Sequence, residues 1–174
     1  KKADGLPYQC LADYVAPVSS NKKDYVGAFA VSAGFGIEKW VNMYQSQHDD
    51  YNAILMKALA DRFAEALAEY LHKMIRTDIW GYSVDEVLDN ESLIAEKYAG
   101  IRPAPGYPAC PEHTVKTEMF KQMQCEEIEM FITESWAMIP GAAVSGFFAS
   151  ACACSTSMPS SLIKPSVSLS VTRP

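Results

Sequence analysis

The chain has 174 residues, of which 49% are hydrophobic and 21% charged, a composition typical of a globular protein long enough to bury a core. Fifteen Lys and Arg against 21 Asp and Glu give a net charge of −6, which argues against a broad nucleic-acid surface or a polybasic membrane contact. The sequence has no run of about eighteen apolar residues and no signal-peptide core at its start, so we expect a cytoplasmic protein. Because the first residue is not Met, we also expect a piece of a longer protein.

The first part of the chain is predicted to form two strands and a helix. Runs rich in Val, Tyr and Phe at residues 11–17 and 25–36 flank a polar stretch, which favours a β-hairpin or an adjacent strand pair. Residues 37–47 follow with apolar side chains at helical spacing.

The strongest predicted element is a long helix that begins at about Asp49. Apolar residues from Ile54 to Ile75 keep to a 3.6-residue period over several turns. Asp49 or Asp50 can cap its start, where a carboxylate also favours the helix dipole.

Another face of this helix carries acidic residues. Asp61, Glu65 and Glu69 are spaced at i, i+4, where like charges destabilise an isolated helix by a few tenths of a kcal/mol. Two interpretations remain open. The face is either a solvated surface of mixed charge, or one of its carboxylates serves a cation elsewhere in the fold.

The rest of the chain is predicted to hold short helices and two more strands. Helices are expected to start near Ser83 and Asn90, residues 114–131 should be partly helical, and two strands at 132–150 should be joined by a turn at Pro140 and Gly141. These elements make one α+β domain with about four strands. Residues 151–174, rich in Ser and Pro, are predicted to be a loose tail or one edge strand.

The cysteines give little support for a metal or a disulfide framework. Five cysteines without regular spacing favour reduced thiols. Cys110 with His113, and Cys152 with Cys154, are isolated pairs that lack a second pair at zinc-site spacing.

The segment GIRPAPGYPACPEHT at residues 100–114 is a stiff loop. Its four prolines exclude a helix or a central strand, so the shape of the loop is largely set before any ligand arrives. Gly106 allows a turn and lets another molecule approach the backbone. Such a loop loses little entropy on binding.

Arg102 and Tyr107 make this loop a candidate small-ligand clamp. A guanidinium can bind a carboxylate or phosphate, and Tyr107 offers a ring face and a hydroxyl. A ligand with an anion for Arg102, a cation for Glu65 or Glu96 and an apolar body would fit, as S-adenosylmethionine does. Alternatively, Arg102 pairs with a structural acid such as Glu96 and Tyr107 packs in the core, or a partner protein recognises the prolines.

Three segments, at residues 48–72, 100–114 and 133–148, resemble the activation domain of cobalamin-dependent methionine synthases. The resemblance runs from about Leu11 to Ala149, and its most specific part is an R-x-x-x-G-Y motif at Arg102, Gly106 and Tyr107. It implies one α+β domain at residues 1–150, with a bent, mainly antiparallel sheet, a long amphipathic helix and several shorter helices. The N-terminal part of the family domain would be missing, and residues 151–174 would be an atypical, disordered or frame-shifted tail.

The resemblance also implies a function. Such domains bind S-adenosylmethionine in a shallow groove and dock on the cobalamin-binding domain of the same enzyme when its cobalt has been oxidised to Co(II). An electron from flavodoxin or a reductase flavoprotein, with a methyl group from S-adenosylmethionine, then restores methylcobalamin. The parent enzyme makes methionine from homocysteine and 5-methyltetrahydrofolate, and its zinc and cobalamin lie in other domains. The chain alone would not turn over.

The site residues follow from matching the family motif. Arg102 would pair with the methionine carboxylate of the ligand, and the loop comprising Ala104, Pro105, Gly106 and Tyr107 would contact its adenosyl part and backbone. Glu65 and Glu96 match acidic positions near the ligand, and Asp61 matches one on the face that meets the cobalamin domain. No catalytic residue or metal ligand is expected.

Two other functions remain alternatives. The chain could be a protein interaction module that docks on a cobalamin domain or a flavoprotein without any ligand. It could also be a thiol or metal enzyme that uses Cys110 and His113.

Overall fold

The computed structural model describes residues 10–21 and 24–150, and its main sheet pairs the two longest strands. Strand β1 (Val26–Ser32) and strand β4 (Ala143–Ala149) are antiparallel, with Val26 opposite Ala149 and Ser32 opposite Ala143. The two-residue strands β2 (Phe131–Ile132) and β3 (Met138–Ile139) form a second antiparallel sheet. The predicted α+β class with antiparallel pairing is confirmed.

Four α-helices surround the sheets. They are α1 (Ile37–Ser46), α2 (Asp50–Met74), α3 (Asn90–Ile94) and α4 (Val115–Gln122). A π-turn at Ile75–Ile79 extends α2, and 3₁₀ turns lie at Leu11–Tyr14, Val18–Ser20 and Cys125–Ile128. Within the described ranges, no helix is both long enough and apolar enough to cross a membrane.

The β1–β4 sheet separates two hydrophobic clusters. On one side, Phe29 and Phe148 stack at a ring-centroid distance of 4.5 Å and pack against Ala68 and Ile75. On the other side, Phe147 packs against a cluster from α4 and the residues that follow it, namely Met119, Phe120, Cys125 and Met130. The sheet is therefore covered on both faces, by α2 and by α4.

Helix α2 confirms the strongest prediction, but its large apolar residues are not the ones in the core. Asp49 caps its start by accepting a hydrogen bond of 3.0 Å from the backbone N–H of Asn52. The side chains that it buries are those of four alanines, Ala53, Ala60, Ala64 and Ala68, and of His72 near its end. Because alanines line the contact, α2 approaches the rest of the fold closely while its bulky side chains remain exposed.

The N-terminal hairpin prediction is wrong. Residues 11–14 form a 3₁₀ turn in which Asp13 accepts a hydrogen bond of 2.7 Å from the N–H of Cys10. Strand β1 pairs instead with β4, more than a hundred residues later in the chain. A local pattern can indicate an extended run, but it cannot identify a partner so distant in sequence.

Two smaller predictions also need correction. No helix starts at Ser83, where the chain makes a turn, whereas α3 does start at Asn90 as predicted, with Asp89 as its N-cap. The turn at Pro140 does join β3 and β4, but each of these strands pairs with a different partner. The predicted tail at 151–174 lies outside the described residues.

Candidate functional site

The entrance of the proline loop runs beside β4 as a short extended segment. The N–H of Ile101 donates to the carbonyl of Ala149 at 2.9 Å, and the N–H of Phe147 donates to the carbonyl of Pro103 at 2.8 Å. Side chains alternate along an extended chain. Ile101 and Pro103 therefore face the side of Phe147, and Arg102 faces α2.

Gly146 permits this close approach. A Cβ atom at position 146 would lie 2.6 Å from the carbonyl oxygen of Pro103 and 2.9 Å from the ring of Phe29. Any side chain there would push the loop entrance away from β4. The position of Arg102 thus depends on a glycine in a distant strand.

Arg102 forms an ion pair with Glu69 on α2. Its Nη2 lies 2.7 Å from Oε2 of Glu69, and the two side chains are 21% and 30% exposed. Each group keeps one buried atom without a protein partner, Nη1 of Arg102 and Oε1 of Glu69. Partial burial makes this pair stronger than a surface ion pair, and it joins the proline loop to the acidic face of α2.

His72 lies one turn beyond Glu69 and is fully buried. Its ring stacks on Phe148 at 5.2 Å and meets the edge of Tyr98 at 4.9 Å. Burial, together with the nearby charges of Arg76 and Arg102, lowers the pKa of His72 to about 3. The imidazole is therefore neutral at pH 7 and adds no positive charge beside the two arginines.

A buried ion pair anchors the end of α2. Nε of Arg76 donates to Oε2 of Glu86 at 2.8 Å, and Nη2 donates to Oε1 at 2.7 Å. The guanidinium carbon also lies 4.3 Å from the ring centroid of Tyr98. Burial, followed by the negative charge of Glu69, raises the pKa of the Tyr98 hydroxyl. These contacts fix Arg76, just after α2, against Glu86 and Tyr98.

The tip of the proline loop is a tight turn between Gly106 and Cys110. The N–H of Gly106 donates to the carbonyl of Cys110 at 2.8 Å, and the N–H of Cys110 donates to the carbonyl of Tyr107 at 2.8 Å. Gly106 has a φ of +99°, and the ring of His113 fills the space where a Cβ would lie. The chain itself thus covers the side of Gly106 that we expected to admit another molecule.

The other predicted site residues differ in burial, and most of them are exposed. Tyr107 is 66% exposed, so it does not pack in the core, whereas Pro105 is buried and Ala104 is half-buried. Glu65 is exposed and pairs with Arg62 at 2.8 Å. Two further predicted residues are exposed: Asp61 on α2 and Glu96, which follows α3 with a φ of +51°.

Glu69 belongs to the acidic row with Asp61 and Glu65, but it is not among the predicted site residues. Arg102 pairs with Glu69 and not with Glu96, the structural acid considered from the sequence. The i, i+4 spacing identifies the row, but not which of its three carboxylates meets Arg102.

The site around Arg102 is open. Two surface cavities, of about 320 and 160 Å³, are both lined by Phe147 on the α4 side of the β1–β4 sheet, whereas Arg102 lies on the α2 side. Within residues 10–21 and 24–150, no three His, Cys, Asp or Glu side chains are grouped closely enough to hold a metal ion. The described site residues thus include a guanidinium held by Glu69 and the exposed ring of Tyr107, groups of the kind that bind a small zwitterion.

The sequence of this α+β domain matches a known protein family over most of its length. The model of the family described as vitamin B12 dependent methionine synthase, activation domain, matches residues 1–156. The chain belongs to this family, which confirms the resemblance seen in the sequence.

A solved structure agrees with this assignment. The chain is similar to the one described as "Crystal Structure of the MetH Reactivation Domain bound to AdoHcy", with 51% sequence identity and a TM-score of 0.81. The match covers 90% of the present chain and 49% of the solved chain. The present chain therefore spans about half the length of that relative.

Proposed function

We propose that this chain binds S-adenosylmethionine and serves as a methyl-donor module in the reactivation of a cytoplasmic, cobalamin-dependent methionine synthase. The observation that supports this most strongly is the 51% identity to a reactivation domain whose crystal structure is described as bound to AdoHcy. AdoHcy is the product that S-adenosylmethionine leaves after losing its methyl group. The two molecules share the amino acid end and the adenosine, so one site can take both.

Arg102 is the proposed partner of the ligand carboxylate. Its backbone is held by β4 and its Nη2 by Glu69, so little conformational freedom remains to be lost on binding. Nη1 has no protein partner. Because Nη1 is buried, a ligand carboxylate would reach it only after a local shift of the loop or α2, and it would then accept a charge-assisted hydrogen bond from this atom.

The loop from Ala104 to Tyr107 is proposed to contact the rest of the ligand. The exposed ring of Tyr107 can pack against the adenosyl group, and the buried Pro105 fixes the turn that presents it. The N–H of Gly106 already donates to Cys110. Polar contacts from this turn would therefore come from carbonyl oxygens and the Tyr107 hydroxyl.

Glu65 and Glu96 are proposed to favour the positively charged end of the ligand. Both are exposed, so each attraction is weak, and Arg62 competes for Glu65. Asp61, one turn before Glu65, is proposed to contact the cobalamin-binding domain of the same enzyme. These residues would adjust affinity and docking, whereas Arg102 would fix the position of the ligand.

The chemical contribution of the chain would be positioning. Holding the methyl donor in line with its acceptor replaces a bimolecular encounter, and none of the proposed contacts involves a general acid, base or nucleophile. Cobalamin, bound by another domain, would supply the metal centre that accepts the methyl group. The electron that reduces its Co(II) would come from flavodoxin or a reductase flavoprotein. The zinc of the parent enzyme would lie in another domain.

Calorimetric titration with S-adenosylmethionine and with AdoHcy tests the proposal. Loss of a charge-assisted hydrogen bond, worth about 1.5–3 kcal/mol, should weaken binding by about 10- to 100-fold in Arg102→Ala. Lys121→Ala is the control, because Lys121 is an exposed cation on α4, on the opposite side of the β1–β4 sheet from Arg102. Equal affinities for wild type and Arg102→Ala would remove Arg102 from the site, and no binding by the wild type would refute the proposed function.

A further inference from the structure

The ring of His113 lies on the backbone of Gly106. His113 is exposed, unlike the buried Cys110 with which it forms a pair in the sequence. A Cβ atom at position 106 would lie 2.8 Å from Nε2 and 3.1 Å from Nδ1 of His113, and closer still to Cε1. The imidazole therefore contacts the glycine of the R-x-x-x-G-Y motif itself.

Gly106 is the point of the proline loop with the greatest backbone freedom. The neighbouring prolines fix φ at their own positions, whereas a glycine can adopt many φ and ψ values. Two backbone hydrogen bonds of 2.8 Å close the turn, from Gly106 to Cys110 and from Cys110 to Tyr107. Packing of the His113 ring on Gly106 restricts the flexible position within this turn.

His113 is itself held by helix α4. It lies immediately before Thr114, the N-cap of α4, and its carbonyl accepts a hydrogen bond of 3.0 Å from the N–H of Lys116. The helix buries Met119 and Phe120 in the hydrophobic cluster on the α4 side of the sheet. The ring of His113 therefore connects the tip of the loop to an element that the core fixes.

The loop thus has two supports, which act on different parts of it. Hydrogen bonds to β4 hold the entrance, where Arg102 lies. The ring of His113 holds the tip, where the exposed Tyr107 follows Gly106. We propose that His113 is a positioning residue of the ligand site, which keeps the turn at Gly106 and Tyr107 in the shape that receives the adenosyl part of S-adenosylmethionine. This inference rests on the proposed function.

Removal of the ring should weaken binding through the conformational entropy of the turn. Without the ring, Gly106 is no longer ordered in the free protein, so the ligand must order it on binding. Ordering the backbone of one residue lowers the affinity about tenfold. Because the His113 side chain is exposed, the fold itself should not change in His113→Ala.

Calorimetry with two ligands tests the inference. AdoHcy carries both the adenosyl group and the amino acid end, whereas 5′-methylthioadenosine carries the adenosyl group without the amino acid. His113→Ala should weaken the binding of both ligands about tenfold. Arg102→Ala should weaken the binding of AdoHcy alone, because 5′-methylthioadenosine has no carboxylate. His48→Asn, which removes an exposed histidine elsewhere, should leave both affinities unchanged.

A double-mutant cycle tests the contact between the two residues. Gly106→Ala places a methyl group against the ring and should displace it, so His113→Ala/Gly106→Ala should bind AdoHcy no more weakly than Gly106→Ala alone. Losses that multiply in the double variant would show that the two residues act independently, and would overturn the inference. An unchanged affinity in His113→Ala, or a loss confined to AdoHcy, would overturn it as well.

Amide hydrogen exchange, followed by NMR, gives a readout that needs no ligand. The N–H of Gly106, which donates to Cys110, should exchange about tenfold faster in His113→Ala than in the wild type. Faster exchange together with no binding of either ligand by the wild type would refute the proposed function, while the support of the turn by His113 would stand. Unchanged exchange would overturn the inference whatever the calorimetry shows.

Discussion

His72 should make the stability of this domain depend on pH between 7 and 5. Its pKa falls from an ordinary 6.5 to about 3 in the folded chain, because the buried ring lies beside two arginines. Below pH 6.5 the unfolded chain takes up a proton at this histidine and the folded chain does not. The stabilising effect is therefore complete above pH 6.5 and is lost progressively as the pH falls from 6.5 towards 3.

The expected loss between pH 7 and pH 5 is about 2 kcal/mol, since each pH unit below the unfolded pKa contributes about 1.4 kcal/mol. Urea unfolding, followed by tryptophan fluorescence at pH 7, 6 and 5, measures it. In His72→Phe, a ring that cannot titrate replaces the imidazole between Phe148 and Tyr98, and the loss should shrink to less than about 0.5 kcal/mol. His48→Asn, at an exposed position, should keep the full dependence. Equal pH dependence in wild type and His72→Phe would refute the reasoning.

Two further substitutions test the contacts around Arg102 and the end of α2. Glu86→Gln removes the counter-charge of the buried Arg76, so it should lower the free energy of unfolding by about 3 kcal/mol. Urea denaturation measures this loss. A loss under about 1 kcal/mol would mean that Arg76 reaches water. Gly146→Ala places a methyl group against the carbonyl oxygen of Pro103, so we expect a loss of about 1–3 kcal/mol and weaker binding in calorimetry with S-adenosylmethionine. Gly141→Ala, where a new Cβ meets nothing within 4 Å, is its control, and equal results for the two variants would contradict the packing argument.

The elements that could be predicted from the sequence are those with local signals. Helix α2 follows from a sustained 3.6-residue period and from Asp49 at its start, both of which depend on neighbours within one or two turns. The pairing of β1 with β4 could not be predicted, because it joins segments at opposite ends of the fold. The buried face of α2 could not be predicted either, because alanines and large apolar residues both occur around most of the helix circumference.

The candidate site shows the same division between local and distant information. The prolines and glycines around Arg102 predict a rigid loop whatever surrounds it, and the loop is indeed a fixed turn. Which carboxylate would meet Arg102 could not be predicted. Glu65 and Glu69 lie on one face of the same helix, and only the hydrogen bonds between the loop entrance and β4 decide that the guanidinium reaches Glu69. The ring of His113 over Gly106 likewise depends on how the loop folds back.

The position of Glu69 explains how the fold tolerates three acidic residues in a row on α2. Asp61 and Glu65 remain exposed, where water and Arg62 weaken their mutual repulsion, but Glu69 is partly buried and needs a fixed cation. Arg102 meets that need with one nitrogen and keeps another without a protein partner. The neutral state of His72 favours this ion pair, because a positive charge on the His72 ring would compete with Arg102 for Glu69. One buried neutral histidine therefore leaves the ion pair of Arg102 with Glu69 without a competing charge.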